Sequence, residues 1–194
     1  MVGLFLKRPW RLPRLLLALP ALAGYPFELT GRGPLKAALA RAAFGGLQRA
    51  EIERLSTAYV AAVREHGLFP AAVEAVAAHR AAGDYLVLMS ASPDLYVPKL
   101  GALLGFDEVI CTQLAWDGDA FNGALLGENC RGPEKRRQLG RLKDRHPGLS
   151  TIGYGNSAPD LDHLVLCDAA VYVNARGNER ERLAAQGIGL VDWR

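Results

Sequence analysis

The sequence contains few residues of the kinds that bind transition metals or form disulfide bonds. Its three cysteines, Cys111, Cys130 and Cys167, lie far apart and include no C-x-x-C pair. The four histidines show no H-x-x-x-H spacing. These patterns argue against a zinc site and against a disulfide framework. They favour a reducing environment, and we therefore predict that the protein is cytoplasmic.

The sequence also lacks a strong excess of charge and a long apolar run. The formal net charge is only +3, and the basic residues are spread along the chain rather than gathered in one stripe. Composition therefore gives little support for nucleic-acid binding. The apolar stretch over residues 15–19 is too short to cross a bilayer, so we predict no membrane partner.

The N-terminal segment supports two interpretations. Basic residues precede the apolar stretch, and Ala21-Leu22-Ala23 imitates a signal-peptidase site. Pro13 and Pro20 break that stretch, however, and Trp10 among the basic residues is typical of an amphipathic helix. We favour the helix. An exported protein with a cleaved leader is the alternative, and N-terminal sequencing of the mature chain separates the two.

The rest of the chain divides into a helical part and an α/β part. Over residues 34–64, apolar side chains recur at three- and four-residue intervals, which predicts two or three short helices. We predict a helical domain over residues 1–68 and an α/β domain over residues 69–194, whose first helix covers residues 70–82. With half of its 194 residues hydrophobic, the chain is long enough to bury a core.

Short apolar runs in the second part predict the strands of a parallel sheet. The run over residues 85–89 is continuous, as in a strand buried on both faces. Helix-like stretches separate the runs, and strands that alternate with helices form parallel sheets. Residues 114–126 alternate around Asp117-Gly118, which predicts a β-hairpin. The other predicted strands are residues 108–111, 151–154, 170–173 and 189–191, and the other predicted helices are residues 94–104 and 134–143.

Two segments stand where parallel sheets bind ligands, after a strand or at the start of a helix. Met89-Ser90-Ala91-Ser92-Pro93 ends a predicted strand, and its hydroxyls and amides suit a phosphate, with Ser92 as N-cap of the next helix. The serines would also serve a plain strand-to-helix turn. Lys135 lies in the first turn of a predicted helix, where the helix dipole disfavours a cation. It either neutralises a phosphate or belongs to a solvated basic face.

A third segment, Gly155-Asn156-Ser157-Ala158-Pro159-Asp160, places oxygen ligands four residues apart at the end of a strand. Such hard oxygen donors suit magnesium. The chain from Gly153 to Ala158 also matches a dinucleotide fingerprint, G-x-G-x-x-A. Pro159 follows that match at once, and no acid stands about 20 residues further on at the end of the next strand, so we favour the magnesium site.

Taken in order, these segments resemble the motifs of the haloacid dehalogenase (HAD) superfamily, in its phosphoserine-phosphatase-like branch. The resemblance covers nearly the whole chain and implies an α/β fold, a HAD-like Rossmannoid parallel sheet with a small helical cap domain. It implies Mg²⁺-dependent hydrolysis of a small phosphorylated metabolite through an aspartyl-phosphate intermediate. It implies phosphate binding by Ser90, Ala91, Ser92 and Lys135, catalytic roles for Ser90 and Lys135, and Mg²⁺ binding by Asn156 and Asp160.

The sequence departs from the family pattern at the catalytic aspartate. The first motif, Asp-x-Asp-x-Thr on the opening strand, supplies the carboxylate that attacks phosphorus and the acid that protonates the leaving group. The first aspartate of this chain is Asp84, and Asn156 replaces an aspartate of the fourth motif. Because an amide ligand brings no charge, we expect weak Mg²⁺ binding.

We therefore expect no turnover from this chain, for one of two reasons. The opening strand is encoded upstream, which we favour because the cap-like helices are kept from their beginning and the loss of a middle strand would leave backbone groups unpaired. Alternatively, the gene has lost its catalytic opening, and the product is a non-catalytic phosphate-binding or interaction protein. In that case residues 1–6 are the segment available to fill the gap.

Overall fold

The computed structural model describes residues 16, 18–24 and 31–193. The basic N-terminal segment, on which the leader-like alternative and the gap-filling hypothesis depend, lies largely outside these residues. Within the described part of the chain, no helix is both long and apolar enough to cross a membrane.

Helices occupy most of the chain before the first strand, and strands and helices alternate after it. The helices are α1 (Leu19–Gly24), α2 (Arg32–Phe44), α3 (Arg49–His66), α4 (Pro70–Ala81), α5 (Val97–Leu104), α6 (Pro133–Arg145), α7 (Leu161–Leu164) and α8 (Asn178–Ala185). The strands are β1 (Val87–Pro93), β2 (Glu108–Thr112), β3 (Leu114–Asp117), β4 (Ala120–Leu125), β5 (Ile152–Gly155), β6 (Ala169–Val173) and β7 (Gly189–Val191).

The parallel strands form two separate sheets. β1 pairs with β2, and a second sheet has the order β5-β6-β7, with each strand parallel to its neighbour. β3 and β4 form an antiparallel hairpin. This architecture confirms the predicted α/β fold with parallel strands, and also the predicted hairpin. Among the described residues, no pairing joins β1 to β5.

The helical part shares its core with the hairpin. Phe44 of α2 meets Phe121 of β4 edge to face, with ring centroids 6.4 Å apart. Arg41 of the same helix donates hydrogen bonds to the backbone and side-chain oxygens of Asn122, at 3.1 and 3.0 Å. The buried residues of this core are Ala40, Ala43, Phe44, Leu47, Ile52, Leu114 and Phe121. The hairpin therefore connects the helices to the α/β part, while the domain boundary at residue 68 stays a prediction.

Two glycines allow the short helix α7 to approach the second sheet closely. A Cβ atom on Gly153 would lie 2.6 Å from Cys167 Sγ, and one on Gly155 would lie 2.6 Å from the Cβ of Asp160. Leu164, which is fully buried, fills the space over both glycines. Close packing therefore explains the G-x-G spacing that also matches a dinucleotide fingerprint.

The segment after β1 differs in one detail from the prediction. β1 keeps a regular ladder with β2 up to Ser90 and continues, after a shift in register, to Pro93, which pairs with Thr112. The next helix begins only at Val97. Ser92 is therefore not the N-cap that the sequence predicted, because the extended pairing carries the chain past it.

β1 is also less buried than its apolar sequence predicts. Val87, Leu88 and Met89 are only half-buried, although continuous apolar runs are typical of strands that are covered on both faces. β1 has β2 on one side, and in the described part of the chain no strand pairs with its other side. The half-burial of β1 thus accompanies an edge that no described strand occupies.

Two leucines of the hairpin test whether its packing against the helices stabilises the fold. Leu114 is 1% exposed and Leu126 is 65% exposed. We expect Leu114→Ala to lower the free energy of unfolding by about 2–5 kcal/mol, because it removes buried methyl groups and leaves a cavity. The matched variant Leu126→Ala should change it by less than about 0.5 kcal/mol. Urea unfolding followed by circular dichroism measures both, and equal effects would contradict the assigned core.

Candidate functional site

A cavity of about 270 Å³ lies where the carboxyl ends of β1 and β5 meet the start of α6. Segments far apart in the sequence contribute its walls. The six residues singled out from the sequence all line it, namely Ser90, Ala91, Ser92, Lys135, Asn156 and Asp160. The other lining residues are Met89, Arg131, Ser157 and Pro159.

The loop at the end of β1 forms one wall of the cavity. The backbone N–H of Ser92 donates a hydrogen bond to Ser90 Oγ at 3.1 Å. A hydroxyl group that accepts such a bond keeps its own proton for donation to another acceptor. The Ser90 hydroxyl is thus oriented by the turn and remains able to donate to an anion in the cavity.

An ion pair between Lys135 and Asp160 forms the opposite wall. Lys135 Nζ lies 2.7 Å from Asp160 Oδ1, and the two side chains are 13% and 9% exposed. Burial opposes ionisation of Asp160, but hydrogen bonds from Lys135 and Ser157 outweigh it and lower the pKa of the carboxyl group. Asp160 is therefore ionised at neutral pH.

The turn after β5 holds Asp160 by its second oxygen. Asp160 Oδ2 accepts hydrogen bonds from Ser157 Oγ at 2.6 Å, from the Ser157 N–H at 3.1 Å and from the Asn156 N–H at 3.2 Å. Ser157 and Asp160 form a capping box over the turn Ala158–Asp160. Both oxygens of Asp160 are therefore engaged within the fold.

The start of α6 positions Lys135. Gly132 precedes the helix with φ 51° and ψ −116°, a conformation that is essentially restricted to glycine. A Cβ atom there would lie 2.9 Å from Asp162 Oδ2. Pro133 then occupies the first turn, where its missing N–H costs nothing. This start places Lys135 within reach of Asp160.

Arg131 adds a second cation that the sequence did not single out. Its guanidinium group has no hydrogen-bond or ion-pair partner among the described residues. Asp160 is the only acid among the described residues that line the cavity, so two cations face one carboxylate in this part of the wall. The excess of one positive charge favours an anionic ligand. The position of Arg131, just before the Gly-Pro start of a helix, was the available signal.

Lys36 of α2 makes a further polar contact with the loop that ends β1, and no sequence pattern indicated this contact. Its ammonium group donates hydrogen bonds to the Ala91 carbonyl and to Asn129 Oδ1. Thr112, fully buried, donates to the same Ala91 carbonyl at 2.8 Å. Burial lowers the pKa of Lys36, and the charge of Arg131 lowers it further against an opposing effect of Cys130. The helical part is thereby joined to the loop that ends β1.

The residues present do not complete a magnesium site. The side chain of Asn156 brings no charge, and Asp160 already shares both oxygens with Lys135 and the turn after β5. No group of three or more His, Cys, Asp or Glu side chains that could hold a metal occurs in the part of the chain that the structure describes. Magnesium in proteins is bound through carboxylates with near-ideal octahedral geometry. The assignment of Asn156 and Asp160 as ligands stays a prediction.

The sequence and fold identify the family. The family model of haloacid dehalogenase-like hydrolases matches residues 3–164. Protein CicA of Caulobacter vibrioides is 37% identical over 159 residues, which cover 81% of this chain and 71% of CicA. The chain therefore belongs to the haloacid dehalogenase-like hydrolase family.

Solved structures with low sequence identity share the fold. A Bordetella pertussis Tohama I protein, described as of unknown function, superposes with a TM-score of 0.76 at 18% identity, covering 90% of this chain and 80% of that one. A probable phosphoserine phosphatase from Vibrio cholerae gives a TM-score of 0.71 at 16% identity, covering 92% of this chain and 52% of that one. These similarities confirm the HAD-like Rossmannoid fold that the motifs implied.

A buried histidine next to the ion pair makes stability depend on pH. His163 is 4% exposed, and no described residue forms a hydrogen bond with its Nδ1. Burial, and to a smaller extent the charge of Lys135, lowers the pKa of His163. As the pH falls, His163 therefore takes up a proton at a higher pH in the unfolded chain than in the folded chain. The free energy of unfolding is therefore unaffected by His163 above the ordinary histidine pKa of about 6.5, and protonation of the unfolded chain lowers it as the pH falls below that value.

We expect the free energy of unfolding to fall between pH 7 and pH 5, and His163→Leu to remove part of that fall. Urea unfolding at both pH values measures the difference. The same substitution at His66, which has an exposed side chain on α3, is the matched control and removes no buried imidazole. An identical acid loss in wild type and His163→Leu would show that the buried imidazole does not cause it.

Proposed function

We propose that this chain carries the phosphate-binding part of a Mg²⁺-dependent phosphomonoester hydrolase site and does not turn over substrate by itself. The observation that supports this proposal is the cavity in which Ser90, Arg131 and Lys135 surround one small volume with an excess of positive charge. The ligand class that we propose is a small phosphorylated metabolite of the cytoplasm. Family membership supports the hydrolytic chemistry.

Each polar group has a distinct part in the proposed complex. The Ser90 hydroxyl donates to a phosphoryl oxygen, since the hydrogen bond that it accepts from the Ser92 N–H leaves its own proton available. Ala91 and Ser92 shape the loop around that oxygen. Lys135 and Arg131 balance the phosphate charge, and charged hydrogen bonds of this kind are stronger than neutral ones.

Hydrolysis by the family's chemistry needs a carboxylate that attacks phosphorus. Within the described part of the cavity wall Asp160 is the only carboxylate, and both of its oxygens accept hydrogen bonds from Lys135, Ser157 and the turn amides. It is therefore a poor nucleophile. A productive site would need one further aspartate, which would also supply the negative charge that a magnesium site lacks here.

The alternative is a protein that binds phosphate and has no catalytic role at all. Asn156 in place of a carboxylate, together with the engaged oxygens of Asp160, favours it. The two proposals share the binding step and differ in whether an added aspartate restores hydrolysis.

Phosphate binding should depend on two residues of the cavity. We expect Lys135→Met to weaken binding of inorganic phosphate about tenfold or more, and Ser90→Ala to weaken it about three- to tenfold. The matched control is Lys143→Met on the same helix, because Lys143 pairs with Asp168 at the surface, away from the cavity lining. Isothermal titration calorimetry measures the affinities, and thermal unfolding verifies that each variant is folded. Unchanged affinity in both cavity variants would contradict the proposal.

Activity assays should separate binding from turnover. We expect no hydrolysis of p-nitrophenyl phosphate above the blank by the purified chain with Mg²⁺ present, because the cavity offers no free carboxylate. Product release at 405 nm, a standard wavelength for p-nitrophenolate, is the measurement. Turnover that is lost in Lys135→Met but kept in Lys143→Met would show that this chain is itself an active enzyme.

A further inference from the structure

Gly33 allows the start of α2 to lie close to the segment before α6 (residues 129–131). A Cβ atom on this buried glycine would lie 2.9 Å from Leu125 Cδ1 and 3.5 Å from Asn129 Cβ. Residues three apart lie on the same face of a helix, so Lys36 follows Gly33 on the face that approaches Asn129. The G-x-x-K spacing at the start of α2 therefore directs a lysine side chain from the helical part into the α/β part.

The ammonium group of Lys36 contacts both segments that carry the proposed phosphate ligands. It donates one hydrogen bond to the carbonyl of Ala91, in the loop that ends β1, and another to Asn129 Oδ1. The Arg131 N–H donates to the carbonyl of Asn129 at 2.6 Å, and the Arg131 side chain lines the cavity. One side chain of α2 thus bridges the loop that ends β1 and the segment before α6.

The buried hydroxyl of Thr112 lies at the centre of this bridge but cannot form it alone. Thr112 Oγ1 lies 2.8 Å from the Ala91 carbonyl oxygen and 3.0 Å from Asn129 Oδ1. It also accepts a hydrogen bond from the Cys130 N–H at 3.1 Å. A hydroxyl group has a single proton and can donate to only one oxygen at a time, whereas an ammonium group has several N–H donors. Lys36 therefore allows both oxygens to be bonded simultaneously.

The environment of the Lys36 ammonium group is unfavourable for a cation. Burial lowers the pKa of Lys36, and the charge of Arg131 lowers it further against an opposing effect of Cys130. Lysines on amphipathic helices ordinarily bury their methylene groups and keep the ammonium group in water. A lysine that instead binds to two segments of the cavity wall, at the cost of this desolvation, points to a role in arranging them.

We infer that Lys36 is a positioning residue for the anion site. It fixes the loop that ends β1 relative to the segment before α6, so that the Ser90 hydroxyl and the cations Arg131 and Lys135 converge on one ligand. The bridge rests on the hydrogen bonds of the structure alone, and its effect on phosphate rests on the proposed function. Lys36 is not among the described residues that line the cavity, so we assign it no direct contact with the ligand.

Three variants of the full chain test this inference. Lys36→Met removes the N–H donors and keeps the length of the side chain, whereas Lys36→Arg keeps a charged group that can donate to more than one acceptor. Lys99→Met is the matched control. Lys99 of α5 also joins the α/β part to the helical part, through an ion pair with Glu53 of α3, but it takes no part in the bridge.

The measurements are phosphate affinity, by isothermal titration calorimetry, and hydrogen–deuterium exchange without phosphate, by mass spectrometry of fragments containing residues 90–92 and 129–131. We expect Lys36→Met to weaken binding of inorganic phosphate about three- to tenfold and to speed exchange in both fragments. Lys36→Arg should bind phosphate within about twofold of wild type, because its donors replace those of the lysine. Lys99→Met should change neither measurement. Thermal unfolding verifies that each variant is folded.

Wild-type phosphate affinity in Lys36→Met, or unchanged exchange in either fragment, would overturn the inference. Equal weakening by Lys36→Met and Lys99→Met would also overturn it, because any loosening of the helical part would then suffice. Equal weakening by Lys36→Met and Lys36→Arg would do the same, because the donors would not matter. If Lys36→Met does not fold, Asn129→Ala removes an acceptor of the bridge and should weaken phosphate binding over the same range. Unchanged affinity in that variant would then overturn the inference.

The cavity variants separate a failure of this inference from a failure of the proposed function. If Lys135→Met and Ser90→Ala weaken phosphate binding while Lys36→Met does not, the inference is wrong and the proposed function stands. If Lys36→Met speeds exchange in both fragments while phosphate binding is absent or ignores Lys135→Met, the proposed function is wrong and only the bridge remains of the inference.

Discussion

The buried ion pair between Lys135 and Asp160 is the interaction on which the site depends. It joins the first turn of α6 to the turn after β5, and these elements carry two of the three segments that enclose the cavity. Removing one partner of a buried pair leaves an uncompensated charge, which typically costs about 3–5 kcal/mol. The capping box of Ser157 fixes the carboxylate independently, so the lysine is held by a preformed acceptor. The cavity therefore exists before any ligand enters it.

Membership of a hydrolase family leads one to expect a reactive carboxylate in the cavity, and the ion pair explains why Asp160 does not supply it. The chain belongs to a hydrolase family, yet Asp160, the one acid among the described lining residues, already forms structural hydrogen bonds. Phosphate recognition needs cations and hydrogen-bond donors, and the described lining residues include both. Bond breaking by the family's chemistry needs a free carboxylate, and none occurs among those described lining residues. Under the proposed function, the described residues that line this space would therefore serve recognition rather than reaction.

Much of this arrangement could be predicted from the sequence because it depends on local patterns. Short apolar runs marked the strands, Asp117-Gly118 marked the hairpin, and residues that follow parallel strands necessarily meet at one sheet edge. Ser92 was wrongly predicted as a cap because strand pairing with Thr112 overrode a local serine signal. Lys36 escaped prediction because its partners are distant in sequence, and a lysine on an amphipathic helix looks solvated. The half-burial of β1 was not predicted, because it depends on which strands pair beside it and not on its own apolar run; among the described residues only β2 pairs with it.

The bond from Lys36 to the loop at the end of β1 has a mechanical consequence. Its half-buried ammonium group is anchored to the Ala91 carbonyl, while its backbone belongs to a helix packed on the hairpin. An outward movement of α2 would break the hydrogen bonds that the Lys36 ammonium group donates. It would also displace the turn that orients the Ser90 hydroxyl. The position of α2 and the shape of the cavity wall are thus coupled through one side chain.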